Sequence, residues 1–381
     1  MKVVIAPDSF KGSLSAEAAA RRMAAGVRRV WPQAEIVLLP LADGGEGTAQ
    51  AMVAATGGQM CRQTVTGPLG EPVTASFGLL GQAGASAVVE MAQAAGLGLV
   101  PPDRRDPRVT TTFGVGQLIG AALEQKVHGI KVRKIIVGLG GSATNDGGAG
   151  AMQALGMRFL DQFGQPLPPG GAALARLARI DSEEFSFLAG KVEVIAASDV
   201  TNPLTGPEGA SIVYGPQKGA TASVAAELDD ALSHYAAIIK RDMGQDIAAL
   251  SGAGAAGGLG AALAAFLGAE FRPGIDVVLD AAGFEVRARE ASWVLTGEGR
   301  IDSQTLSGKA ICGLLARCQA LGLSVVAFGG SVDPAASAAL RAQGLVQAIP
   351  LVAGLVTLED ALREPGRVLE EAVMQAMAGL T

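Results

Sequence analysis

Four short segments of the chain set acidic, amide and hydroxyl side chains among glycines, and each contains or follows an apolar run. Glycine lets backbone N–H groups approach a ligand closely, and carboxylates at strand ends suit a hard cation such as magnesium. Together the segments indicate a site for an anionic nucleotide and its metal, assembled from distant parts of the chain. They are Pro7–Gly12, Ala42–Thr48, Gly138–Gly148 and Gly297–Asp302.

The segment Pro7–Gly12 places an acid and a lysine directly after a predicted strand. Asp8 is suited to bind a metal or a substrate hydroxyl, and Lys11 is suited to bind a phosphate. The alternative is a loop that caps the following helix and leaves Lys11 in solvent. We favour a ligand-binding role for this segment.

Two carboxylates lie among three glycines in Ala42–Thr48. Gly44 and Gly45 leave backbone N–H groups open beside Asp43 and Glu46, and concave runs of N–H groups bind anions. A plain turn would need only one glycine. The segment therefore predicts a site for phosphate and metal.

The run Gly138–Gly148 has the composition of a loop that cradles phosphates. Ser142, Thr144 and Asn145 supply uncharged ligands, and Asp146 is suited to hold magnesium or to act as a base. The run is not a Walker A motif, because no Gly-Lys-Ser/Thr follows, and it does not match the dinucleotide fingerprint. A glycine-rich start of a helix is the alternative.

Two further segments are more ambiguous. Asp199 and Asn202 follow a predicted buried strand, although Asn202-Pro203 is also a common way to open a turn. Lys218, within Gly215–Gly219, is compatible with either a phosphate-binding lysine or a solvent-exposed loop. Both alternatives stay open at this point.

The segment Gly297–Asp302 follows a predicted strand at Trp293–Thr296. Arg300 is suited to bind a phosphate or a carboxylate through two parallel hydrogen bonds, and Glu298 is suited to hold a metal. The alternative is a structural pairing of Arg300 with Glu298 and Asp302. We favour a functional role for Glu298.

The composition of the 381 residues excludes several classes of protein. Hydrophobic residues make up 49% and charged residues 17%, so the chain is folded rather than disordered. A net charge of −6 and 4% aromatic residues argue against binding to nucleic acid. Three cysteines and two histidines without paired spacing argue against a zinc site. We see no signal segment or membrane-spanning stretch, so we expect a cytoplasmic protein.

Hydrophobic periodicity predicts an α/β protein with a doubly wound parallel sheet of five strands. Strands at Val3–Ala6 and Ile36–Leu39, each followed by a helix, open the chain, and the same pattern returns from Trp293. The intervening segment begins with a hairpin around Gly67–Pro72 and continues as a mixed α/β region. We therefore predict one discontinuous domain with a second domain inserted into it. The predicted domains are residues 1–60 with 286–381, and residues 61–285.

The parallel sheet predicts where a ligand binds. Ligands of open parallel sheets bind beyond the carboxyl ends of the strands, at the switch point of the strand order. Asp8, Asp43 and Glu298 are all predicted just past such ends. We therefore expect an active site in a cleft between the two domains.

Six segments, in order along nearly the whole chain, resemble the bacterial glycerate kinase family, the type unrelated to P-loop or sugar-kinase folds. The resemblance implies a flavodoxin-like domain with a second α/β domain. It also implies ATP- and magnesium-dependent phosphorylation of D-glycerate, mostly to 2-phosphoglycerate. The segments are Ile5–Gly12, Ala42–Thr48, Val89–Ala92, Gly140–Gly148, Ser198–Leu204 and Leu295–Asp302.

Given that activity, the chemistry of the side chains suggests a role for each candidate residue. The expected catalytic residues are Asp199, Lys11 and Arg300. The expected substrate-binding residues are Asp8, Ser9, Lys11, Asn202 and Arg300. The expected ATP-binding residues are Gly140, Gly141, Ser142, Thr144, Asn145, Gly44 and Gly45. The expected metal ligands are Asp43, Glu46, Asp146 and Glu298.

Three other interpretations of the function stay open. The enzyme could form 3-phosphoglycerate, or the chain could bind a nucleotide or metabolite without catalysis. It could also be an NAD-dependent oxidoreductase on a similar sheet, although the missing dinucleotide fingerprint argues against this. In the favoured interpretation the products are 2-phosphoglycerate and ADP, and the cofactors are ATP and Mg²⁺. The expected partner is D-glycerate, with no nucleic acid and no membrane, and the expected state is a monomer or a homodimer.

Overall fold

The computed structural model of the protein describes residues 1–42, 45, 47–81, 85–183, 185, 191–306, 310–352 and 356–380. The chain divides into two compact units. Unit 1 comprises Met1–Asp43, Gln50–Thr56 and Pro273–Thr381, and unit 2 comprises Gly44–Ala49 and Gly57–Arg272.

Strands and helices alternate along much of the chain. In chain order the strands are β1 (Lys2–Ile5), β2 (Glu35–Leu38), β3 (Gln59–Thr66), β4 (Pro72–Leu79), β5 (Ser86–Glu90), β6 (Lys126–Val127), β7 (Ile130–Lys131), β8 (Lys134–Gly138), β9 (Arg158–Leu160), β10 (Arg179–Asp181), β11 (Glu193–Ala197), β12 (Glu270–Arg272), β13 (Trp293–Ile301), β14 (Ser324–Val332) and β15 (Leu345–Pro350). The α-helices are α1 (Ala16–Val30), α2 (Thr48–Thr56), α3 (Ala92–Ala95), α4 (Phe113–Glu124), α5 (Ala149–Ala154), α6 (Ala210–Tyr214), α7 (Ala222–Met243), α8 (Ala255–Leu267), α9 (Gly274–Ala281), α10 (Phe284–Arg287), α11 (Ala310–Ala320), α12 (Pro334–Ala342), α13 (Leu358–Arg363) and α14 (Pro365–Ala378).

The sheet of unit 1 has five parallel strands in the order β15-β14-β13-β1-β2. Val4 in β1 lies between Val294 of β13 and Val37 of β2. From the pair β1 and β13 the chain continues to β2 on one side and to β14 and β15 on the other. This reversal is the switch point at which doubly wound sheets bind their ligands.

Local sequence explains why α1 begins and ends where it does. The Ser15 hydroxyl accepts a hydrogen bond from the N–H of Ala18, which satisfies one of the free donors of the first turn. Glu17 in the first turn and Arg28 and Arg29 in the last turn complement the helix dipole. Ser15 is therefore the N-cap residue of α1.

The buried face of α1 packs against α14. Met23 and Val27 are fully buried and belong to one apolar cluster with Leu369 and Val373. A Cβ on Gly26 would lie 2.5 Å from a backbone carbonyl oxygen of α14, so the close approach of the two helices requires a glycine there. These helices cover one face of the parallel sheet.

Unit 2 contains a mixed sheet of six strands in the order β12-β11-β8-β5-β4-β3. The first four strands are parallel, whereas β4 and β3 form an antiparallel hairpin. The hairpin turn closes with a hydrogen bond from the N–H of Gly67 to the carbonyl of Glu71 at 2.7 Å. The predicted hairpin is therefore present.

The predicted α/β fold with a doubly wound parallel sheet is confirmed, but the predicted end of one strand is wrong. We expected β13 to stop at Thr296, with Glu298 just past its end. The strand continues to Ile301, because β14 is also long and pairs Glu298 with Gly329 and Ile301 with Val332.

Within the described residues, every helix falls short of the length or hydrophobicity that a membrane-spanning segment requires.

Candidate active site

A charged cavity of about 380 Å³ lies in unit 1 at the switch point between β1 and β13. Two cations and three carboxylates, all from the first and last of the four segments, line it. A small anion with hydroxyl groups could therefore be neutralised and hydrogen-bonded in the same cavity. Its lining residues are Asp8, Ser9, Lys11, Glu298, Gly299, Arg300, Asp302, Gln304 and Thr305.

The loop after β1 holds the first group of these residues. The N–H of Asp8 donates to the carbonyl of Gly297 at 2.8 Å, so the loop is tied to the neighbouring strand β13. The side chain of Asp8 accepts a hydrogen bond from the N–H of Ser9. Phe10 is buried and anchors the loop, whereas Lys11 is exposed. The loop therefore presents its lysine to the cavity from a fixed backbone.

The end of β13 supplies the second group. Because side chains alternate along a strand, Glu298 and Arg300 project from the same face. The Nε atom of Arg300 lies 3.1 Å from a carboxylate oxygen of Asp302, and the Arg300 side chain is 74% exposed. Glu298 accepts a hydrogen bond from the hydroxyl of Thr305 at 2.6 Å. An exposed arginine that has one ionic partner among the described residues keeps other donors for a ligand.

In unit 2, two of the predicted segments begin at the carboxyl edge of the parallel strands. The register aligns Gly138 of β8 with Ala197 of β11 and with Glu90 of β5. The glycine-rich loop, Gly138–Gly148, therefore begins beside the segment that carries Asp199. Asp199 is exposed, as a group that meets a substrate must be.

The glycine-rich loop is open at its start and buried along the rest. Gly140 and Gly141 are partly or fully exposed, and Ser142 is 9% exposed, but Thr144 and Asn145 are fully buried. The side-chain amide of Asn145 donates to Ser211 Oγ at 2.9 Å. This placement corrects our expectation that Thr144 and Asn145 contact ATP directly, because neither side chain reaches solvent. The bond to Ser211 lets Asn145 support the loop from below.

Asp146 is the central support of this loop. One carboxylate oxygen accepts from the N–H and the hydroxyl of Thr112, at 2.8 and 2.9 Å, and from Gly150 N–H at 3.3 Å. The other oxygen accepts from Gly148 N–H at 3.1 Å. Burial raises the pKa of Asp146, and these hydrogen bonds oppose that shift. A metal ligand would have to give up these bonds, so the geometry favours a structural role over the metal role predicted for Asp146.

A left-handed turn at the start of α8 packs against the buried part of the loop. Gly257 has φ +66°, and its carbonyl accepts a hydrogen bond from the N–H of Gly147 at 3.0 Å. A Cβ on Gly257 would lie 1.9 Å from the carbonyl oxygen of Thr144. Both the backbone conformation and the contact therefore require glycine.

We expect Gly257→Ala to lower the free energy of unfolding by about 3 kcal/mol or more, from left-handed strain plus a backbone clash. The matched control is Gly244→Ala, because Gly244 has φ +71° but no atom within 4 Å of its Cβ position. The control should cost about 1–2 kcal/mol, from strain alone. Urea unfolding followed by circular dichroism measures both, and equal losses would contradict the clash.

The structure describes the contacts of some of the remaining predicted residues, whereas others lie outside the described part of the chain. The Asn202 side chain donates to the carbonyl of Glu208 and accepts from the hydroxyl of Tyr214, both at 2.8 Å, so it ties its own loop together. Gly45 accepts hydrogen bonds from Thr48 through its carbonyl. The predicted residues Asp43, Gly44 and Glu46 lie outside the described residues.

The sequence model that represents the glycerate kinase family matches residues 3–381 of this chain. The chain belongs to the glycerate kinase family. The family predicted from the sequence motifs is therefore confirmed, and so is the prediction that the protein is an enzyme of this family.

Relatives of the chain match it along nearly its whole length. It is 47% identical to the glycerate kinase of Bacillus subtilis (strain 168), over 100% of this chain and 98% of the relative. It is 46% identical to the glycerate 2-kinase of Escherichia coli (strain K12), over 95% of this chain and 93% of the relative. A crystal structure from Salmonella typhimurium LT2, provisionally assigned as glycerate kinase 2, has 48% identity and a TM-score of 0.90, and the match covers 100% and 98% of the two chains.

In this member of the glycerate kinase family, several supporting residues were missed by the sequence analysis. Thr112 holds Asp146, and Thr305 holds Glu298. Buried Glu90 accepts a hydrogen bond at 2.6 Å from the N–H of Ala49 at the start of α2. The threonine run before α4 and the acid in the strand β5 were visible signals, but nothing local shows which distant group each one contacts.

Proposed function

We propose that this protein is a glycerate kinase that transfers the γ-phosphoryl group of ATP to D-glycerate, giving 2-phosphoglycerate and ADP. The observation that carries the proposal is the full-length similarity to glycerate kinases, including the glycerate 2-kinase of Escherichia coli. The charged cavity of unit 1 and the open start of the glycine-rich loop in unit 2 supply chemistry that suits it.

Glycerate is a small carboxylate with two hydroxyl groups, and the cavity in unit 1 offers partners for both kinds of group. In our proposal Lys11 and Arg300 bind the carboxylate, because their charges are complementary to it and both residues line the same cavity. Asp8 and Ser9 orient the hydroxyl groups. This arrangement fixes the acceptor before phosphoryl transfer, which is a large part of the catalysis of such reactions.

The triphosphate requires N–H donors and neutralisation of its charge. We propose that the backbone N–H groups of Gly140 and Gly141 and the Ser142 side chain bind phosphate oxygens, since this is the open part of the loop. Asn145 and Asp146 hold that part in place through their hydrogen bonds. Gly44 and Gly45 stay proposed as additional phosphate contacts.

The described residues fit a magnesium ion that is shared between a few carboxylates and the phosphates of the substrate. No group of three or more His, Cys, Asp or Glu side chains among them forms a ready metal site. Magnesium is usually held by one or two carboxylates together with substrate phosphates, and Glu298 of the charged cavity, with Asp43 and Glu46, is proposed for that role. Bound there, magnesium would neutralise charge on the phosphate oxygens.

The proton of the attacking hydroxyl group needs an acceptor. Asp199 is proposed as this base, because it is an exposed carboxylate next to the start of the glycine-rich loop. As the hydroxyl oxygen bonds to the γ-phosphorus, the bond to the β,γ-bridging oxygen breaks and ADP leaves. The proton passes to the carboxylate of Asp199.

The experiment that tests the proposal is ADP release by the purified protein with ATP and Mg²⁺, in the presence and absence of D-glycerate. We expect ADP formation to require D-glycerate. ADP formation at the same rate without glycerate would indicate an ATPase. No turnover with folded protein that binds ADP would indicate a binding protein without catalysis.

Replacing Lys11 with Met should raise the KM for D-glycerate about tenfold, because one charge-assisted hydrogen bond to the carboxylate is lost at an exposed site. The KM for ATP should change less. Arg341→Met is the control, since Arg341 is an exposed cation of unit 1 on α12 and does not line the cavity. Initial rates at varied glycerate measure the effect, and an unchanged KM for glycerate would remove Lys11 from the proposed carboxylate site.

A further inference from the structure

Lys218 is an unusual buried group of unit 2. Its side chain is 1% exposed, whereas lysine is almost never fully buried unless it is paired. Removing an ammonium group from water is costly. Burial lowers the pKa of Lys218 to about 7, and the nearby charge of Asp146 opposes that shift. Apolar packing alone would be served better by a methionine, so the ammonium calls for another explanation.

The ammonium of Lys218 contacts the glycine-rich loop directly. Its Nζ donates to the carbonyl oxygen of Thr144 at 2.7 Å. The hydroxyl of Thr144 and the side-chain oxygen of Asn145 are buried without a hydrogen-bond partner among the described residues. The bond from Lys218 is therefore a principal anchor of the peptide group at Thr144.

The backbone that carries Lys218 is itself held firmly. A turn of 3₁₀ helix over Pro216–Lys218 ends at the lysine, and Gly219 follows with φ +99°. A Cβ at Gly219 would lie 2.2 Å from the carbonyl oxygen of Arg105, so the chain packs closely at this point. The lysine therefore extends to the loop from a fixed base.

The anchored peptide lies next to the open start of the loop. Ala143 is held through its N–H by the carbonyl of Ala95 and through its carbonyl by the hydroxyl of Thr110, at 2.9 and 3.0 Å. Lys218 holds the next residue, Thr144. Consecutive peptide groups directly after Ser142 are thus fixed by separate elements, and loss of one anchor would let the preceding turn move.

We propose that Lys218 is a positioning residue for nucleotide binding: its ammonium fixes the carbonyl of Thr144 and so keeps the N–H groups of Gly140–Ser142 directed towards the phosphates. This inference rests on the proposed function, because it assigns the open part of the loop to ATP. Lys218 itself is too deeply buried to touch the nucleotide. The interpretation of this lysine as part of a solvated loop is wrong.

Lys218→Met tests the proposal, since methionine keeps much of the volume and removes the ammonium. Isothermal titration with ADP and Mg²⁺ should show a dissociation constant about tenfold higher than for the unsubstituted protein, the effect of losing a charged hydrogen bond. The KM for ATP should rise similarly, and the KM for D-glycerate should change less than about twofold. Lys218→Arg, which keeps a cationic donor, should recover part of the affinity.

Lys240→Met is the matched control, because Lys240 is a lysine of the same unit whose side chain is 64% exposed and paired with Asp246. Lys240→Met should leave ADP binding unchanged.

If Lys218→Met does not fold, Lys218→Gln replaces it. The dissociation constant of Lys218→Gln for ADP should rise at least about threefold, because a shorter neutral donor makes a weaker bond. Thermal unfolding of every variant separates loss of fold from loss of binding.

Two results would overturn the inference, and they differ in what else they affect. Normal ADP binding by folded Lys218→Met or Lys218→Gln, with any change confined to Tm, would make the lysine purely structural and would leave the kinase proposal intact. No ADP binding and no glycerate-dependent turnover by the unsubstituted protein would overturn the proposed function together with the inference.

Discussion

Replacing Asp199 with Asn is expected to lower kcat about 10²- to 10⁴-fold, the usual range for removing a general base. The amide cannot accept the proton that the attacking hydroxyl group loses. Asp199 is exposed, so the substitution should leave Tm unchanged. Initial-rate kinetics with ATP, Mg²⁺ and D-glycerate, combined with a thermal melt, measure both quantities.

The control for this variant is Asp230→Asn, which changes an exposed carboxylate of the same unit on α7. Its kcat should match that of the unsubstituted protein. Turnover of Asp199→Asn within about threefold of normal would show that Asp199 is not the base. A carboxylate of the charged cavity would then be the next group to replace.

Replacing Asp146 with Ala should be among the most destabilising single changes in unit 2. It leaves the N–H and the hydroxyl of Thr112 and the N–H groups of Gly148 and Gly150 without their buried acceptor. Each buried donor without a partner costs about 1–3 kcal/mol, so we expect a loss of about 3 kcal/mol or more. For a unit of this size that loss lowers Tm by about 6 °C or more.

Asp161→Ala is the matched control for this loss of stability. The Asp161 carboxylate also accepts two backbone N–H groups, from Phe163 and Gln165, but it does so in an exposed turn. Water can replace it there, so the control should cost about 1 kcal/mol or less. Differential scanning calorimetry compares the two variants, and similar melting temperatures would contradict the structural role of Asp146.

The strands that the sequence predicted well are those whose burial is uniform. Val3, Val4 and Ile5 are fully buried, and their apolar run identified β1 directly. The end of β13 was not predictable in the same way. Polar and glycine residues there are typical of a loop, but pairing with β14 extends the strand. Gly330 lets the two backbones approach closely, because a Cβ on this residue would lie 2.5 Å from the carbonyl oxygen of Gly299.

Residue types in the sequence indicated where a ligand could bind. The burial of each side chain in the structure then decided whether that side chain supports the site or is exposed to a ligand. Asp146 and Asp199 look alike in sequence, each an acid near the end of a strand, yet the first is buried under four hydrogen bonds and the second is exposed. Lys218 likewise could not be placed from its glycine-rich surroundings. Such differences come from distant elements that pack around each group, and no local pattern records them.

The measurement that tests the central proposal most directly is phosphorus NMR of the product formed from the purified protein, ATP, Mg²⁺ and D-glycerate. We predict the resonance of 2-phosphoglycerate together with ADP. A 3-phosphoglycerate resonance would contradict the proposed attack by the 2-hydroxyl group while keeping the kinase. No phosphorylated glycerate from folded protein would contradict the proposed function itself.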